Sequence, residues 1–210
     1  TYSYALRVMG GIFGIQRTRI LIPEGSTNVQ IAGVVAKNFP TISEVDFASA
    51  IKGKEGYLFP DTYAFFPSVT KEEIIARIEE NFNYKLGFFD TRIRQSGYTK
   101  LEIFTMASIL EKEAYGDIDR DVISGILWKR LRIGMPLQVD ASTLFANPFD
   151  TYKNKGLPPA PINNPGVKAI EAALAPKDSP YLYYLHDKSG KVHYARSYAE
   201  HKRNIELYLR

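Results

Sequence analysis

Two carboxylates close an otherwise apolar stretch of this chain. Tyr98 to Tyr115 reads Y-T-K-L-E-I-F-T-M-A-S-I-L-E-K-E-A-Y, with Glu111 and Glu113 near its end. Thr99 followed three residues later by Glu102 is a capping box, so the spacing predicts a helix starting there. At 100° per residue, Leu101, Ile103, Phe104, Met106, Ala107, Ile109 and Leu110 spread round the whole wheel, the mark of a core helix. A carboxylate beside such an interior costs free energy unless it is paired, or unless a raised pKa is useful. Glu111 and Glu113 project about 160° apart and cannot share one cleft. Glu113 falls beside Ile109 and Leu110, and Glu111 between Phe104, Ala107 and Ser108. Spacing alone favours the plain reading, a solvated helix end with Lys112 between two acids.

Other chemistries find little support. The chain has no cysteine, which removes disulfides, thiolate metal sites and cysteine nucleophiles. Its three histidines, His186, His193 and His201, lack the i, i+4 spacing of a helical metal pair, so no metal is expected. There is no G-x-S-x-G, P-loop or G-x-G-x-x-G, and Gly10-Gly11-x-x-Gly14 is too loose to cradle phosphate. What remains is carboxylate chemistry in an aromatic cleft. A glutamate kept protonated by desolvation can act as general acid on a glycosidic oxygen. A hydrolase of that type uses two carboxylates. A transglycosylase manages with one, because a hydroxyl of the substrate replaces water.

The elements that would hold such a residue are legible in order. Arg17 to Ile22 reads as a short strand ended by Pro23-Glu24-Gly25. Thr27 with Gln30 caps a helix carrying Ile31, Val34 and Val35, and Ser43 to Lys52 is a second short helix. Glu55 to Phe66 is an aromatic loop or strand segment that packs a core or, alternatively, forms a sugar-stacking wall. Thr70 with Glu73 opens a helix with Ile74, Ile78 and Phe82 on one face, fraying near Gly87. Asp117 to Gly134 reads as a long helix capped by Asp117 or Asp119, with Lys129, Arg130 and Arg132 complementing its dipole in the last turns. Gln138 and Asp140 fall on a loop. Asn164 as cap and Pro165 at the first helical position launch a helix through Leu174. Tyr181 to Leu185 and Lys191 to Ala195 flank D-K-S-G as a hairpin, and Ser197 with Glu200 opens a closing helix. Helix pairs with a hairpin and few strands make the fold class α+β, helix-rich, rather than parallel α/β.

At 210 residues, 45% hydrophobic and 24% charged, the chain fits one large soluble domain, or one domain with a small appendage. No apolar run approaches the roughly 20 residues of a membrane span. Opening on Thr1 without methionine, the chain reads as a fragment. A net charge of +4 from 27 basic and 23 acidic residues is no nucleic-acid footprint.

Three blocks together resemble the endolytic murein transglycosylase family, also called MltG or YceG-like. They are E-G-Y-L-F-P-D-T-Y (55–63), A-S-I-L-E-K-E-A with K-R-L-R-I-G-M-P-L-Q-V-D (107–140), and G-L-P-P-A-P-I-N-N-P-G (156–166), with P-Y-L-Y-Y-L (180–185) and E-H (200–201) also fitting. The similarity runs from about Arg17 to the end. It implies a catalytic domain over 17–210, preceded at 1–16 by the tail of a LysM-like region. It implies internal cleavage of peptidoglycan between MurNAc and GlcNAc, leaving 1,6-anhydro-MurNAc ends, with no metal or cofactor. The family's catalytic glutamate is the second of the E-K-E motif, here Glu113, protonating the departing oxygen and then acting as base on the C6 hydroxyl. Gln138, Asp140, Tyr152 and Asn164 match flanking pocket positions, and Tyr57 lies in the aromatic block; all five are expected to contact substrate. Glu111 is left as a structural residue paired with a nearby arginine. The resemblance also implies a parent protein anchored in the cytoplasmic membrane and facing the wall, with glycan strands and wall-synthesis enzymes as partners.

The chain departs from the family pattern at Ala141 and Ser142, where Pro and Thr are usual, at Phe145 for Tyr, at Ala160 for Gly, and at the register of His193. The E-K-E motif is untouched. Two other readings compete. One is a non-catalytic glycan-binding or scaffolding module in which residues 55–66 stack on sugar. The other is an aminodeoxychorismate lyase-like enzyme, which would need pyridoxal phosphate on Lys112, a residue with no glycine-rich loop beside it.

Overall fold

Capping chemistry sets most helix starts. A computed structural model describes residues 16–114, 119–140 and 149–209. Thr27, Thr70 and Thr99 each accept the N–H three residues on, and Gln30, Glu73 and Glu102 reciprocate on the cap N–H. These boxes open α1 (Asn28–Asn38), α3 (Lys71–Gly87) and α5 (Lys100–Glu113). Ser43 alone caps α2 (Glu44–Ala50). Between α3 and α5 lies α4 (Asp90–Ser96), a single apolar-anchored turn pair that sequence reading passed over because Ile93 is its one buried residue.

The strands form two separate antiparallel pairs. β1 (Thr18–Leu21) pairs with β2 (Thr62–Phe65) in a register that sets Ile20 opposite Tyr63, both buried. β3 (Tyr183–His186) pairs with β4 (Val192–Ala195) as the expected hairpin, whose turn is closed by Asp187 accepting from Ser189 and Lys191. The fold is therefore helix-rich α+β. The expected preceding region at 1–16, together with Asp117, Ala141, Ser142 and Phe145, falls outside the described residues, apart from residue 16.

Two apolar cores result. One gathers Ile20, Ile31, Val35, Phe47, Leu58, Ile74 and Ile78 from β1, α1, α2, α3 and the aromatic block. The other surrounds α5, whose eight residues from Ile103 to Leu110 are all buried. Around it pack α6 (Arg120–Arg132) and α7 (Val167–Leu174). Ser124 and Trp128 of α6 donate to the carbonyls of Ala172 and Ala173, and a Cβ at Gly125 would collide with the Lys177 carbonyl. That clash explains a glycine in mid-helix despite its cost of about 1 kcal/mol there. The chain ends in α8 (Tyr198–Tyr208) against the hairpin.

Three expected caps differ. Asp119 occupies the cap position of α6 without a side-chain cap bond, because its carboxylate faces His186 Nε2 at 3.0 Å. Helix α7 starts at Val167 with Gly166 as cap, so neither Asn164 nor Pro165 opens it. The Asn164 amide is engaged elsewhere, and the Glu111 carboxylate of α5 accepts the Gly166 N–H at 2.9 Å instead. An anion from a neighbouring helix does the work of a cap. At Ser197 the box is half formed, since Glu200 turns to the Arg196 N–H.

The loop P-I-N-N-P-G (161–166) joins the two cores. Ser108 on α5 accepts the Ile162 N–H and its carbonyl takes the Asn163 amide, at 3.0 and 2.7 Å. On the other side, Asn164 bonds Ser26, Asn28, Glu55 and Leu58. Among the described residues no helix is long and apolar enough to cross a membrane.

Candidate active site

The two glutamates of E-K-E face different surroundings, as the helical wheel requires. The Glu111 side chain is only 8% exposed: Oε2 accepts from the Gly166 N–H, and Oε1 lies 3.9 Å from Arg120 Nη2. Burial holds its carboxyl above the ordinary carboxylate range. The Gly166 N–H, Arg120 and Lys112 oppose that shift, and Glu24 adds to it. The expected pairing of Glu111 with an arginine is thus present, with Arg120.

Glu113 is half-buried in the last turn of α5, where a negative charge meets the unfavourable end of the helix dipole. Helix stability does not explain it there. Its Oε2 accepts the Tyr184 hydroxyl at 2.9 Å. Burial first, then the charge of Glu113, pushes the Tyr184 phenol well above its ordinary range. Tyr184 therefore stays a donor.

Tyr184 is aimed by β3 and fastened through α6. The Lys129 Nζ donates to the Ser179 carbonyl at 2.6 Å, Arg130 Nε to the Leu182 carbonyl at 2.6 Å, and Asp119 holds His186. Arg130 is buried, lies 4.9 Å from the Tyr183 ring centroid, and sends Nη1 to the Leu137 carbonyl at 2.5 Å. One guanidinium thus braces both the hairpin and the loop that carries Gln138 and Asp140. Burial lowers its pKa, while Tyr184, Tyr183, Tyr152 and Glu113 raise it. The dipole account of Arg130 drawn from sequence is incomplete for that reason: the side chain points inward, not along the helix end.

On that loop the Gln138 and Val139 N–H groups bond to the Thr151 carbonyl and hydroxyl. Thr151 is wholly buried, so the segment is pinned from below. Gln138 is exposed with φ +51, a left-handed conformation uncommon outside glycine. Tyr152 donates to Asp140 Oδ1 at 2.6 Å. Its phenol is pushed up to about 12 by burial, then by the Asp140 bond and charge and by Glu113, against Arg130.

Glu113, Tyr184, Arg130 and Tyr152 therefore act on one another electrostatically, and Asp140 joins this cluster through Tyr152. Of the residues expected from the sequence, Glu113, Asp140 and Tyr152 meet there, and Gln138 lies on the same loop. Tyr57 and Asn164 lie elsewhere. The Tyr57 ring packs on Phe82 and Phe104 with centroids at 5.4 and 5.9 Å, beside the first half of α5. Phe104 and Glu113 are separated by about 13 Å of helix rise. Asn164 is wholly buried in the loop between the cores. Tyr184 and Arg130 were missed as functional candidates, although both fall in the blocks 107–140 and 180–185. Among the described residues no group of three His, Cys, Asp or Glu could hold a metal. A cavity of about 350 Å³ lined by Arg92, Arg120, Asp121, Lys168 and Glu171 includes none of the cluster.

The helix-rich α+β fold is one shared with known proteins. The YceG-like family pattern covers residues 5–207, and the chain belongs to that family. A Bacillus subtilis (strain 168) protein named endolytic murein transglycosylase is 35% identical over 192 residues, covering 82% of this chain and 53% of that protein. A Streptococcus pneumoniae (strain ATCC BAA-255 / R6) protein of the same name is 34% identical over 200 residues, covering 83% of this chain and 36% of its own. The chain thus spans about half the length, or less, of the curated relatives it matches. The crystal structure of the yceG-like protein lmo1499 from Listeria monocytogenes superposes with a TM-score of 0.82 at 32% identity, covering 88% of this chain and 75% of that one.

Proposed function

We propose that this domain is a lytic transglycosylase acting inside peptidoglycan glycan strands, with Glu113 as its single general acid and base. The observation that carries the reading is the half-buried Glu113, following the wholly buried helix segment Ile103–Leu110, hydrogen-bonded by Tyr184 and interacting with Tyr152, which holds Asp140. The names of the relatives supply the substrate class.

In this reading the protonated Glu113 carboxyl gives its proton to the glycosidic oxygen as the MurNAc C1–O4 bond breaks, freeing the GlcNAc 4-hydroxyl. The resulting carboxylate then takes the proton of the MurNAc C6 hydroxyl as that oxygen bonds to C1. A 1,6-anhydro ring forms, Glu113 is again protonated and no water is consumed. One proton-transfer group suffices for both steps. Water attack would need a second carboxylate poised on the opposite face of the sugar or acting as nucleophile. Asp140, held by the Tyr152 hydroxyl, and Gln138 contact the sugar ring and its N-acetyl group. Tyr57 and Asn164 serve as framework for α5 and the loop 161–166.

Purified sacculi test this reading. The wild-type chain releases soluble glycan fragments and Glu113→Gln, with an unchanged circular dichroism spectrum, releases none. Full release by the folded variant contradicts it.

A further inference from the structure

The bond from the Tyr184 hydroxyl to Glu113 Oε2 joins residues 71 apart and is the contact between the hairpin and the end of α5 that bears on proton transfer. Its supports are unusually complete. The hairpin is tied to α6 through Ser179, Leu182 and His186, and Arg130 extends the same tie to the Leu137 carbonyl under the Gln138–Asp140 loop. The Tyr184 ring also meets His186 edge-on at 6.2 Å. The strand that carries the phenol is thus held in place independently of α5.

We propose that Tyr184 is the positioning residue for Glu113: its hydroxyl holds Oε2 so that the carboxyl group keeps one orientation through both halves of the acid/base cycle. The inference rests on Glu113 being the acid and base of the reaction proposed above. Tyr184 transfers no proton itself. Its O–H donates to Oε2 both when Glu113 is the neutral acid and when it is the carboxylate, and the bond is stronger to the anion. It therefore stabilises the state formed as the proton leaves. A bond made more strongly as charge develops lowers the barrier of the first, protonating step rather than improving substrate binding. The groups that face this pair are Arg130 from α6, Tyr152, whose hydroxyl is bonded to Asp140, and His186 on the same strand. Arg130 favours the Glu113 anion, and the two phenols are neutral in the working pH range because both are raised.

The test is steady-state turnover of soluble glycan strands by Tyr184→Phe, read as a function of pH. The expected result is a loss in kcat of about tenfold or more with KM little changed. Removing a donor to the carboxylate raises the pKa of the acid, so the alkaline limb of the kcat profile moves to higher pH. A purely structural role for the phenol would lower activity without moving that limb. Replacing Tyr184 with 3-fluorotyrosine keeps the hydroxyl and the fold but makes it a stronger donor, and moves the limb the opposite way. Unchanged kcat and an unmoved limb in both variants overturn the inference. If Glu113→Gln is also fully active, the failure lies in the assignment of Glu113; if Glu113→Gln is dead, it lies with Tyr184 alone.

Discussion

Asn164 Oδ1 accepts the Leu58 N–H at 2.8 Å, joining the loop before α7 to the aromatic block 106 residues earlier. The same side chain donates through Nδ2 to the Ser26 carbonyl at 3.0 Å and to Asn28 Oδ1 at 3.1 Å. Its backbone pairs with Ser26 and Gly25 as well. One buried amide thus stitches the core around α1 to the core around α5. Asn164→Ala should destabilise the domain by about 3 kcal/mol, because it leaves the buried Leu58 N–H without its acceptor and Asn28 Oδ1 without the Asn164 donor. Urea denaturation measures this directly. A stability equal to wild type, with activity lost, would instead mark Asn164 as a substrate contact.

Glu55 shares that stitch, accepting from the Asn28 N–H and the Asn164 amide. Burial raises its carboxyl from 4.5 to about 7, against the lowering effect of the Asn28 bond. Its folded pKa exceeds its unfolded one. Between pH 4.5 and 7 the unfolded chain has therefore lost this proton while the folded chain keeps it, and stability falls as pH rises through that window. Glu55→Gln keeps an acceptor for Asn28 and removes the titration. Its Tm should exceed that of wild type at pH 8 and the difference should shrink toward pH 4.5. A difference independent of pH would refute the assignment.

Gln138 holds φ +51 beside the cluster. A non-glycine residue pays about 1 kcal/mol for the left-handed region, and such strain concentrates where a side chain is needed. Gln138→Gly should leave Tm unchanged or slightly higher and cut turnover about tenfold through the lost hydrogen bonds to sugar. A glycine variant with full activity would show that the backbone, not the amide, is what the site requires.

What the sequence disclosed and withheld follows from the range of each interaction. The boxes at Thr27, Thr70 and Thr99 are closed by residues three positions on, so their helices were legible and their starts correct. The buried faces of α3 and α5 followed from periodicity, as did the opposite outlooks of Glu111 and Glu113. The errors are long-range. Asn164 reads as a helix cap because Asn-Pro is a common cap signal, yet its partners lie 106 to 138 residues away. Arg130 reads as a dipole cation because nothing local tells of the Leu182 carbonyl 52 residues on. Tyr184 reads as one tyrosine among several in an aromatic strand. Only the pairing of the hairpin with α6 brings its hydroxyl to Glu113.

In the proposed reaction Glu113 exchanges a proton with the glycan twice, without water. Mass spectrometry of fragments released from purified sacculi tests this most directly, with Glu111→Gln as the control from the opposite face of α5. Wild type and Glu111→Gln should yield fragments ending in 1,6-anhydro-MurNAc, each one water lighter than a reducing end, and Glu113→Gln should yield none. Reducing ends from the wild type, or anhydro ends from Glu113→Gln, would contradict the account.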